Sequence, residues 1–366
     1  MTVAASPPPI AWYGGSFVYY DDEPAAEPEP GEPELDAAAA LAREQRRATP
    51  EQFGPEPGPR ERTGVVLGRF LPVHEGHRYL VEFARAHAER LHLFVRIADD
   101  DPIPWEVRSG WMAELFAGLP VTAIGGGQDE WVPRILAEVQ PDYLFSAELW
   151  GPGFAAKLGA TFVGVDRLAV PVSGTSVRNG PWDYEQYLPP PVRAWYSRRV
   201  CLIGAESTGK TTLAKKLARQ FDTVWVPERL RTLGPDFGPA DLALAAHGQL
   251  AAQEALARRS RLAVFCDTDL LSARLWSERL FGTAPAWLVE AAERPSQDLY
   301  LLCAPDVPYY GDSRHNAPAE RREFHAAVER ELIRLGRPYV VLDGDFDARY
   351  PRALEAVREL IAPRRR

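Results

Sequence analysis

Two histidines lie three residues apart, where an apolar run gives way to a helical pattern. Residues 68–77 read GRFLPVHEGH; the apolar run VVL precedes them, and YLVEFARAHAERL, which has helical spacing, follows them. His74 would lie on the loop and His77 in the first helical turn, while Gly76 leaves room for an anion to approach the backbone. Both imidazoles can then face one anion, so this turn is a candidate phosphate site.

A second glycine-bearing turn occurs at residues 204–212, which read GAESTGKTT and follow the apolar run RRVCLIG. The stretch fits the phosphate-binding pattern G-x-x-x-x-G-K-[ST] without a mismatch, between an apolar strand and an amphipathic helix. The backbone N–H groups of such a loop surround phosphate oxygens, its lysine neutralises the β and γ phosphates, and its Thr hydroxyl faces Mg²⁺. We predict ATP contacts from Gly204, Glu206, Ser207, Thr208, Gly209, Lys210, Thr211 and Thr212.

Acidic residues end several apolar runs in the second half of the chain, and ligands of parallel sheets bind at the carboxyl ends of strands. Asp267 suits Mg²⁺ coordination beside the hydroxyl of Thr211. Glu228 can take a proton from an acceptor hydroxyl, and Asp269 is expected near the ribose or the metal. Each acid alone could equally be a solvated strand end or a helix cap. Together with the phosphate loop they favour a small-molecule kinase.

A polar loop with the sequence PYYGDSRHN occupies residues 308–316, after the apolar run that ends at Asp306. Arginines in such loops can close over a transferring phosphoryl group. Asp312 and Arg314 are therefore expected to contribute to the kinase site.

Strand and helix patterns alternate from residue 63 onward, which predicts parallel sheets with helices on both faces. In the first unit we expect a strand over 91–98 and helices over 77–90, 106–119 and 131–139. In the second unit we expect a strand over 198–204 and a helix over 211–221. The fold class is therefore α/β, with two doubly wound domains at 63–196 and 197–366.

Residues 1–62 differ in composition from the rest of the chain, because they hold 11 of the 34 prolines, 12 acidic residues and 5 arginines. Few large apolar side chains there offset the entropy of ordering, so we expect a disordered or loosely docked segment with one short helix at 37–47. This segment carries most of the net charge of −9. The remaining chain is nearly neutral, which argues against a nucleic-acid partner.

The rest of the composition indicates a cytoplasmic globular protein. No apolar run reaches the length of a membrane span, and the amino terminus lacks a basic start and an apolar core. The three cysteines have no paired spacing, so we interpret Cys201, Cys266 and Cys303 as small buried side chains in a reducing compartment.

The histidine turn resembles the signature of the nucleotidyltransferase superfamily, [HT]-x-G-H between a first strand and a first helix. The second signature of that superfamily, [IV]-S-x-T-x-x-R, is matched by residues 172–178, VSGTSVR. The resemblance implies that both imidazoles contact the phosphates of ATP, and that Ser173 and Thr175 cap a helix whose N-terminus binds the triphosphate. The implied ATP contacts are Gly68, Arg69, Phe70, His74, His77, Ser173, Thr175 and Arg178.

A transferase of this type followed by a P-loop kinase resembles the NadR family, in which nicotinamide-mononucleotide adenylyltransferase is fused to ribosylnicotinamide kinase. The resemblance covers residues 63–360 and includes the junction PPPVRAWY and the motifs VPERLR and CDTD. Arg69 replaces a frequent lysine, PYYGDSRH departs from the usual D-G-x-R ending, and residues 1–62 are too proline-rich and acidic for the helix-turn-helix repressor domain of the best-known members.

This resemblance implies an enzyme of NAD salvage that uses ATP, Mg²⁺, nicotinamide riboside and nicotinamide mononucleotide (NMN) and makes NAD. The implied catalytic residues are His74, His77, Lys210, Glu228 and Asp267, with Thr211 and Asp267 holding Mg²⁺. The implied substrate contacts are Arg108, Trp111, Glu228, Arg231, Asp269, Asp312 and Arg314.

Two alternatives stay open. One is another transferase–kinase fusion, such as phosphopantetheine adenylyltransferase with dephospho-coenzyme A kinase. The other is a nucleotide-sensing regulator in which one site only binds. The sequence does not decide between nicotinamide and nicotinate substrates, or between a monomer and a homo-oligomer.

Overall fold

The computed structural model describes residues 61–234, 236–308 and 318–362. Its first half forms a five-stranded, fully parallel sheet with the order β3-β2-β1-β4-β5. The strands are β1 (Thr63–Gly68), β2 (Arg90–Arg96), β3 (Val121–Ile124), β4 (Tyr143–Ser146) and β5 (Thr161–Gly164). Because β1 lies between β2 and β4, the order of the strands reverses beside β1, where parallel sheets form a ligand crevice.

Helices connect these strands and cover both faces of the first sheet. They are α1 (Glu75–His87), α2 (Trp105–Leu115), α3 (Gln128–Glu138), α4 (Gly151–Leu158), α5 (Gly174–Asn179) and α6 (Pro190–Tyr196). Short 3₁₀ helices lie at Arg167–Ala169 and Pro181–Tyr187. One core forms on each face of the sheet, and β1 supplies alternate side chains to both, with Val66 in one and Val65 in the other.

The second half repeats this architecture with the strand order β10-β9-β6-β8-β7, again fully parallel. Its strands are β6 (Arg198–Ile203), β7 (Trp225–Val226), β8 (Ala263–Asp267), β9 (Leu299–Cys303) and β10 (Tyr339–Leu342). Its helices are α7 (Lys210–Gln220), α8 (Pro239–Ala257), α9 (Leu270–Phe281), α10 (Ala286–Glu293), α11 (Pro318–Arg334) and α12 (Phe346–Ile361), with a 3₁₀ helix at Arg229–Thr232.

The central strands of the second sheet are apolar because helices cover both of their faces. All five residues of β8 and of β9 are buried. A parallel strand covered on both sides requires such a continuous apolar run, rather than the alternation of a half-exposed strand. This requirement explains why these segments were recognisable from sequence.

The predicted α/β fold with two parallel sheets is confirmed, and the predicted elements are found with shifted ends. The helix expected over 77–90 spans Glu75–His87, and the one expected over 106–119 spans Trp105–Leu115. The helix expected over 211–221 begins and ends one residue earlier, at Lys210–Gln220. The segment 1–62, with its expected helix at 37–47, lies almost wholly outside the described residues.

The short helix α6 joins the two halves by packing into both cores. Val192 is fully buried in the first core, while Ala194 packs against a core of the second half. Directly after this helix, the buried hydroxyl of Ser197 accepts a hydrogen bond of 2.5 Å from Ser260. No helix among the described residues is long and apolar enough to cross a membrane.

Candidate active sites

The first candidate site is a cavity of about 330 Å³ at the carboxyl ends of β1 and β4. It lies where the strand order reverses, as expected for a ligand crevice in a parallel sheet. All eight residues implied as ATP contacts of the transferase line it: Gly68, Arg69, Phe70, His74, His77, Ser173, Thr175 and Arg178.

Three rings are stacked along one wall of this cavity. The ring centroids of His74 and His77 are 3.8 Å apart, and those of His77 and Phe70 are 4.6 Å apart. His74 has extended backbone at the N-cap of α1, and His77 lies in the first turn of that helix. A Cβ atom on Gly76 would lie only 3.0 Å from Nδ1 of His74, so glycine keeps the space in which this ring stacks.

Burial keeps both imidazoles neutral at physiological pH. It lowers the pKa of His74 to about 4, with a further contribution from the nearby charge of Arg167. Burial also lowers the pKa of His77 well below its usual range, and His74 and Arg167 add to the effect. The rings are therefore poised to donate hydrogen bonds to an anion as neutral groups, rather than to act as resident cations.

The second signature also borders the cavity, through the short helix α5. Ser173 is its N-cap, and its hydroxyl accepts a hydrogen bond of 3.0 Å from the N–H of Ser176. The prediction that Thr175 also caps the helix is wrong, because Thr175 lies in its first turn and accepts a hydrogen bond of 3.1 Å from Arg178. Arg178 also binds the carbonyl of Leu71, which ties this helix to the histidine loop.

Sequence reasoning missed two arginines of this cavity. Arg96 ends β2, and its guanidinium carbon lies 4.3 Å from the centroid of the Trp131 ring. Arg167 follows β5 and lies 3.4 Å from a carboxylate oxygen of Glu148. Both line the cavity. Their position at the carboxyl ends of strands was the available signal, since polar residues at that edge face the ligand crevice.

Arg108 and Trp111 do not line this cavity, and their contact with substrate stays a prediction. Arg108 is buried, and it donates hydrogen bonds to the carbonyl of Arg69 at 2.8 Å and to Asp101 at 2.6 Å. Trp111 is buried in the core and contacts Trp195 edge to face. Arg108 therefore supports the loop that carries Arg69, because it bonds to the carbonyl of that residue and to Asp101.

The second candidate site is the P-loop between β6 and α7. Gly204 has a φ of 136°, and a Cβ atom there would lie 2.5 Å from the carbonyl oxygen of Cys303. Ser207 and Gly209 also have positive φ, of 55° and 84°. Such alternation of backbone handedness turns N–H groups toward a common centre and forms an anion-binding concavity.

Lys210 points back into this loop. Its side chain is buried, and Nζ donates a hydrogen bond of 2.8 Å to the carbonyl of Ala205. The hydroxyl of Thr208 donates to the same carbonyl at 2.8 Å. Thr212, on the first turn of α7, is exposed. A phosphate group in the concavity would offer Lys210 a stronger, charged acceptor than a carbonyl.

A buried carboxylate meets the start of α7. Thr211 donates a hydrogen bond to Oδ2 of Asp267, whose other oxygen, Oδ1, is buried and bonded to no group among the described residues. The pKa of Asp267 is raised above its ordinary value, mainly by burial and also by the charge of Glu228. Lys210, Thr211 and Arg231 act in the opposite direction without cancelling this rise.

These oxygen donors fit Mg²⁺, which prefers one or two carboxylates and completes its octahedron with phosphate and water oxygens. The described residues contain no cluster of three or more His, Cys, Asp or Glu side chains that could hold a metal by itself. An ion at Thr211 and Asp267 would therefore depend on the nucleotide and on water for its remaining ligands.

Glu228 and Arg231 lie beside this carboxylate, whereas Asp269 is directed elsewhere. Glu228 accepts a hydrogen bond of 2.7 Å from Arg231. Asp269 is buried at the N-cap of α9, where Ser272 N–H donates to one oxygen and the hydroxyl of Tyr300 donates to the other at 2.7 Å. Both oxygens of Asp269 thus accept hydrogen bonds from the protein, and its contact with the ribose or the metal stays a prediction.

The predicted residues Asp312 and Arg314 lie outside the described residues. Two arginines that were not predicted approach the P-loop instead. Arg321 donates a hydrogen bond of 3.1 Å to the carbonyl of Glu206, and Arg349 donates one of 2.9 Å to the carbonyl of Thr208. Neither residue belongs to a local motif, so only the folded arrangement shows their proximity.

Comparison with known proteins gives matches along most of the chain. The family model described as an AAA domain matches residues 199–349. The trifunctional NAD biosynthesis/regulator protein NadR of Escherichia coli strain K12 is 26% identical over 355 residues, covering 84% of this chain and 86% of that protein. The protein of the same name from Salmonella typhimurium strain LT2 is 26% identical over 342 residues, covering 81% of this chain and 83% of that protein.

Solved structures share the same fold. A crystal structure of NadR protein in complex with NR has a TM-score of 0.66 at 24% identity. The match covers 84% of this chain and 98% of the NadR chain in that structure. Another, of NadR protein in complex with NAD and AMP-PNP, has a TM-score of 0.65 at 23% identity with the same coverage. The fold of this chain is therefore similar to that of these two NadR structures.

Proposed function

Because this chain is similar to NadR proteins over 84% of its length, we propose that it is a bifunctional enzyme of NAD salvage. Its second half phosphorylates nicotinamide riboside with ATP, which gives NMN. Its first half transfers the adenylyl group of a second ATP to NMN, which gives NAD and pyrophosphate.

The observation that carries this proposal is the presence of two differently built phosphate sites in one chain. Neutral His74 and His77, 3.8 Å apart, face a cavity bordered by arginines in the first half. A P-loop with the buried Lys210 lies beside a carboxylate in the second half. The first suits stabilisation of a triphosphate attacked at its α-phosphorus, and the second suits phosphoryl transfer.

Adenylyl transfer needs no general base in the first site. The phosphate oxygen of NMN is already anionic, so it attacks the α-phosphorus of ATP directly; a new O–P bond forms and the bond to pyrophosphate breaks. Negative charge increases on the departing pyrophosphate. His74, His77 and Arg178 stabilise this charge, and their fixed positions mean that no reorganisation is needed during the reaction.

Phosphoryl transfer in the second site requires positioning and the removal of one proton. The 5′-hydroxyl oxygen of the riboside attacks the γ-phosphorus, Glu228 accepts the hydroxyl proton, and the bond to ADP breaks. Lys210 leaves the carbonyl of Ala205 and binds the β and γ phosphates. Thr211 and Asp267 would hold Mg²⁺, which supplies charge neutralisation between the phosphates when bound.

Product analysis by chromatography tests the proposal. Purified protein is incubated with Mg–ATP and nicotinamide riboside in one tube, and with Mg–ATP and NMN in another. NAD in both tubes is the expected result. NMN accumulating in the first tube, with no NAD in either, would leave a kinase with a regulatory first half. No turnover in either tube would overturn the proposal, and coenzyme A precursors would then be assayed.

A further inference from the structure

The carbonyl groups of the P-loop need hydrogen-bond donors from the protein, because the N–H groups of the loop point toward the phosphate position. Positive φ values at Gly204, Ser207 and Gly209 turn N–H groups toward the phosphate position. Within the described part of the chain, the N–H groups of Ser207, Thr208 and Gly209 donate to no backbone or side-chain acceptor. The carbonyl groups between them must then face the protein, where a buried carbonyl needs a donor.

Two buried arginines from different helices supply these donors. Arg321, on the first turn of α11, is 3% exposed, and its Nε lies 3.1 Å from the carbonyl oxygen of Glu206. Arg349, on the first turn of α12, is 2% exposed, and its Nη1 lies 2.9 Å from the carbonyl oxygen of Thr208. Lys210 and Thr208 themselves bind the carbonyl of Ala205.

Arg349 also fixes the loop relative to the sheet. Its other donors bind the carbonyls of Ala304 and Gly344, each at 2.9 Å, and the carboxylate of Asp306. Ala304 directly follows β9, and Gly344 lies just beyond β10. One guanidinium thus connects the P-loop to the ends of two neighbouring strands.

We propose that Arg321 and Arg349 are positioning residues for ATP: they hold the carbonyls of Glu206 and Thr208 outward so that the loop presents its N–H groups to the phosphates. This inference rests on the proposed function only in taking the P-loop as an ATP site. Both guanidinium groups bond to carbonyl oxygens of the loop, so they act through its backbone. Arginine suits this role because it stays charged and offers five donors in a fixed geometry.

The test compares Arg321→Gln with Arg322→Gln, a matched control that changes the exposed neighbour on the same helix. The loop contacts substrate and transition state alike, so we expect the KM for ATP in riboside phosphorylation to rise about tenfold while kcat changes less than about threefold. The KM for riboside and the rate of adenylyl transfer should stay unchanged. Arg321→Lys, which keeps the charge but lacks the planar fork of donors, should restore only part of the ATP affinity, so its KM for ATP should lie between those of the wild type and Arg321→Gln.

A merely structural role predicts a different pattern, in which kcat and the melting temperature fall together while the KM for ATP is unchanged. That pattern, or an equal effect of Arg322→Gln, would overturn the inference. If Arg321→Gln fails to fold, Arg321→Lys takes its place: a raised KM for ATP at constant kcat supports the inference, and an unchanged KM overturns it.

Calorimetry separates this inference from the proposed reaction. Binding of Mg–ATP is titrated in a His77→Ala background, which weakens the other ATP site, with and without Arg321→Gln. Weaker binding in the double variant supports the positioning role even if nicotinamide riboside is not the acceptor. Equal binding in both proteins overturns the role regardless of which substrate is phosphorylated.

Discussion

At the scale of residues, the proposed function predicts that single substitutions separate the two activities. Lys210→Ala should lower riboside phosphorylation at least about 100-fold, because a preorganised charge on the phosphates is lost, and should leave adenylyl transfer within about twofold. His77→Ala should have the reverse effect. Both rates are measured on the same preparations, with circular dichroism as the control for folding. Loss of both activities in a folded single variant would contradict the two-site arrangement.

The histidine pair gives stability a defined dependence on pH. Unfolded His74 binds a proton near its ordinary pKa of 6.5, whereas the folded protein takes it up only near pH 4. Lowering the pH from 7 to 5 therefore favours the unfolded state, by roughly 2 kcal/mol from His74 alone.

We expect the melting temperature to fall between pH 7 and pH 5, and to fall less in His74→Gln, as measured by calorimetry at both pH values. An equal decrease in both proteins would contradict the lowered pKa. Pyrophosphate should raise the pKa of His74, because a bound anion favours the charged ring, and NMR titration of the imidazole would detect this rise.

The two acids of the Asp-Thr-Asp segment should respond differently to the same substitution. Asp267→Asn removes a charge beside Thr211, so we expect riboside phosphorylation to fall roughly 100-fold with little loss of stability. Asp269→Asn weakens a helix cap and a bond to Tyr300, so we expect near-normal turnover and a free energy of unfolding lower by about 1 kcal/mol. Rates of phosphorylation and denaturation curves are measured for both variants. A strong loss of turnover in Asp269→Asn would contradict this expectation and would indicate that Asp269 acts in the site.

At the scale of elements, glycines mark where two segments must approach closely. A Cβ atom on Gly174 would overlap the carbonyl oxygen of Leu71, where α5 meets the histidine loop. Gly174→Ala should therefore displace α5 and lower adenylyl transfer about tenfold or more, with phosphorylation unchanged. Gly110, inside α2, has no atom within 4 Å of such a Cβ, so Gly110→Ala is the control and should keep both activities. Equal behaviour of the two variants in the transferase assay would contradict the close approach.

Elements with a local signature were predictable from sequence, and their pairing was not. The P-loop and the histidine turn each combine a strand end, a loop and a helix start within about fifteen residues. Hydrophobic periodicity and the positions of glycines were therefore sufficient to predict both. The strand orders depend on which connections cross the sheet, and a single sequence does not specify this.

The same limit applies to the surroundings of the predicted site residues. Asp269 and Asp267 look equivalent in CDTD, but only tertiary packing brings Tyr300 to one of them. Arg108 is predicted to contact substrate, and only the fold shows that it also bonds to Asp101 and to the carbonyl of Arg69. Arg321 and Arg349, 115 and 141 residues from their P-loop partners, carry no local signal.

At the scale of the whole molecule, the two halves are joined by a small amount of buried structure and a few exposed ion pairs. Arg261 binds Glu185 at 2.9 Å, and Arg258 binds Glu114, with all four side chains at least a third exposed. Exposed pairs of this kind contribute little and are screened by salt. The join therefore depends mainly on α6, whose Val192 and Ala194 pack into cores of the two halves.

All three cysteines of the chain lie buried in neighbouring strands of the second sheet, Cys201 on β6, Cys266 on β8 and Cys303 on β9. Burial raises the pKa of each thiol, that of Cys303 to about 11, so the reactive thiolate is scarce. The native protein should show no thiol reactive toward an aromatic disulfide dye, and the denatured protein three. Labelling then requires separation of these strands, and Mg–ATP should slow it by stabilising the folded state. The rate of dye release would therefore measure how fast this sheet opens in the protein without any substitution.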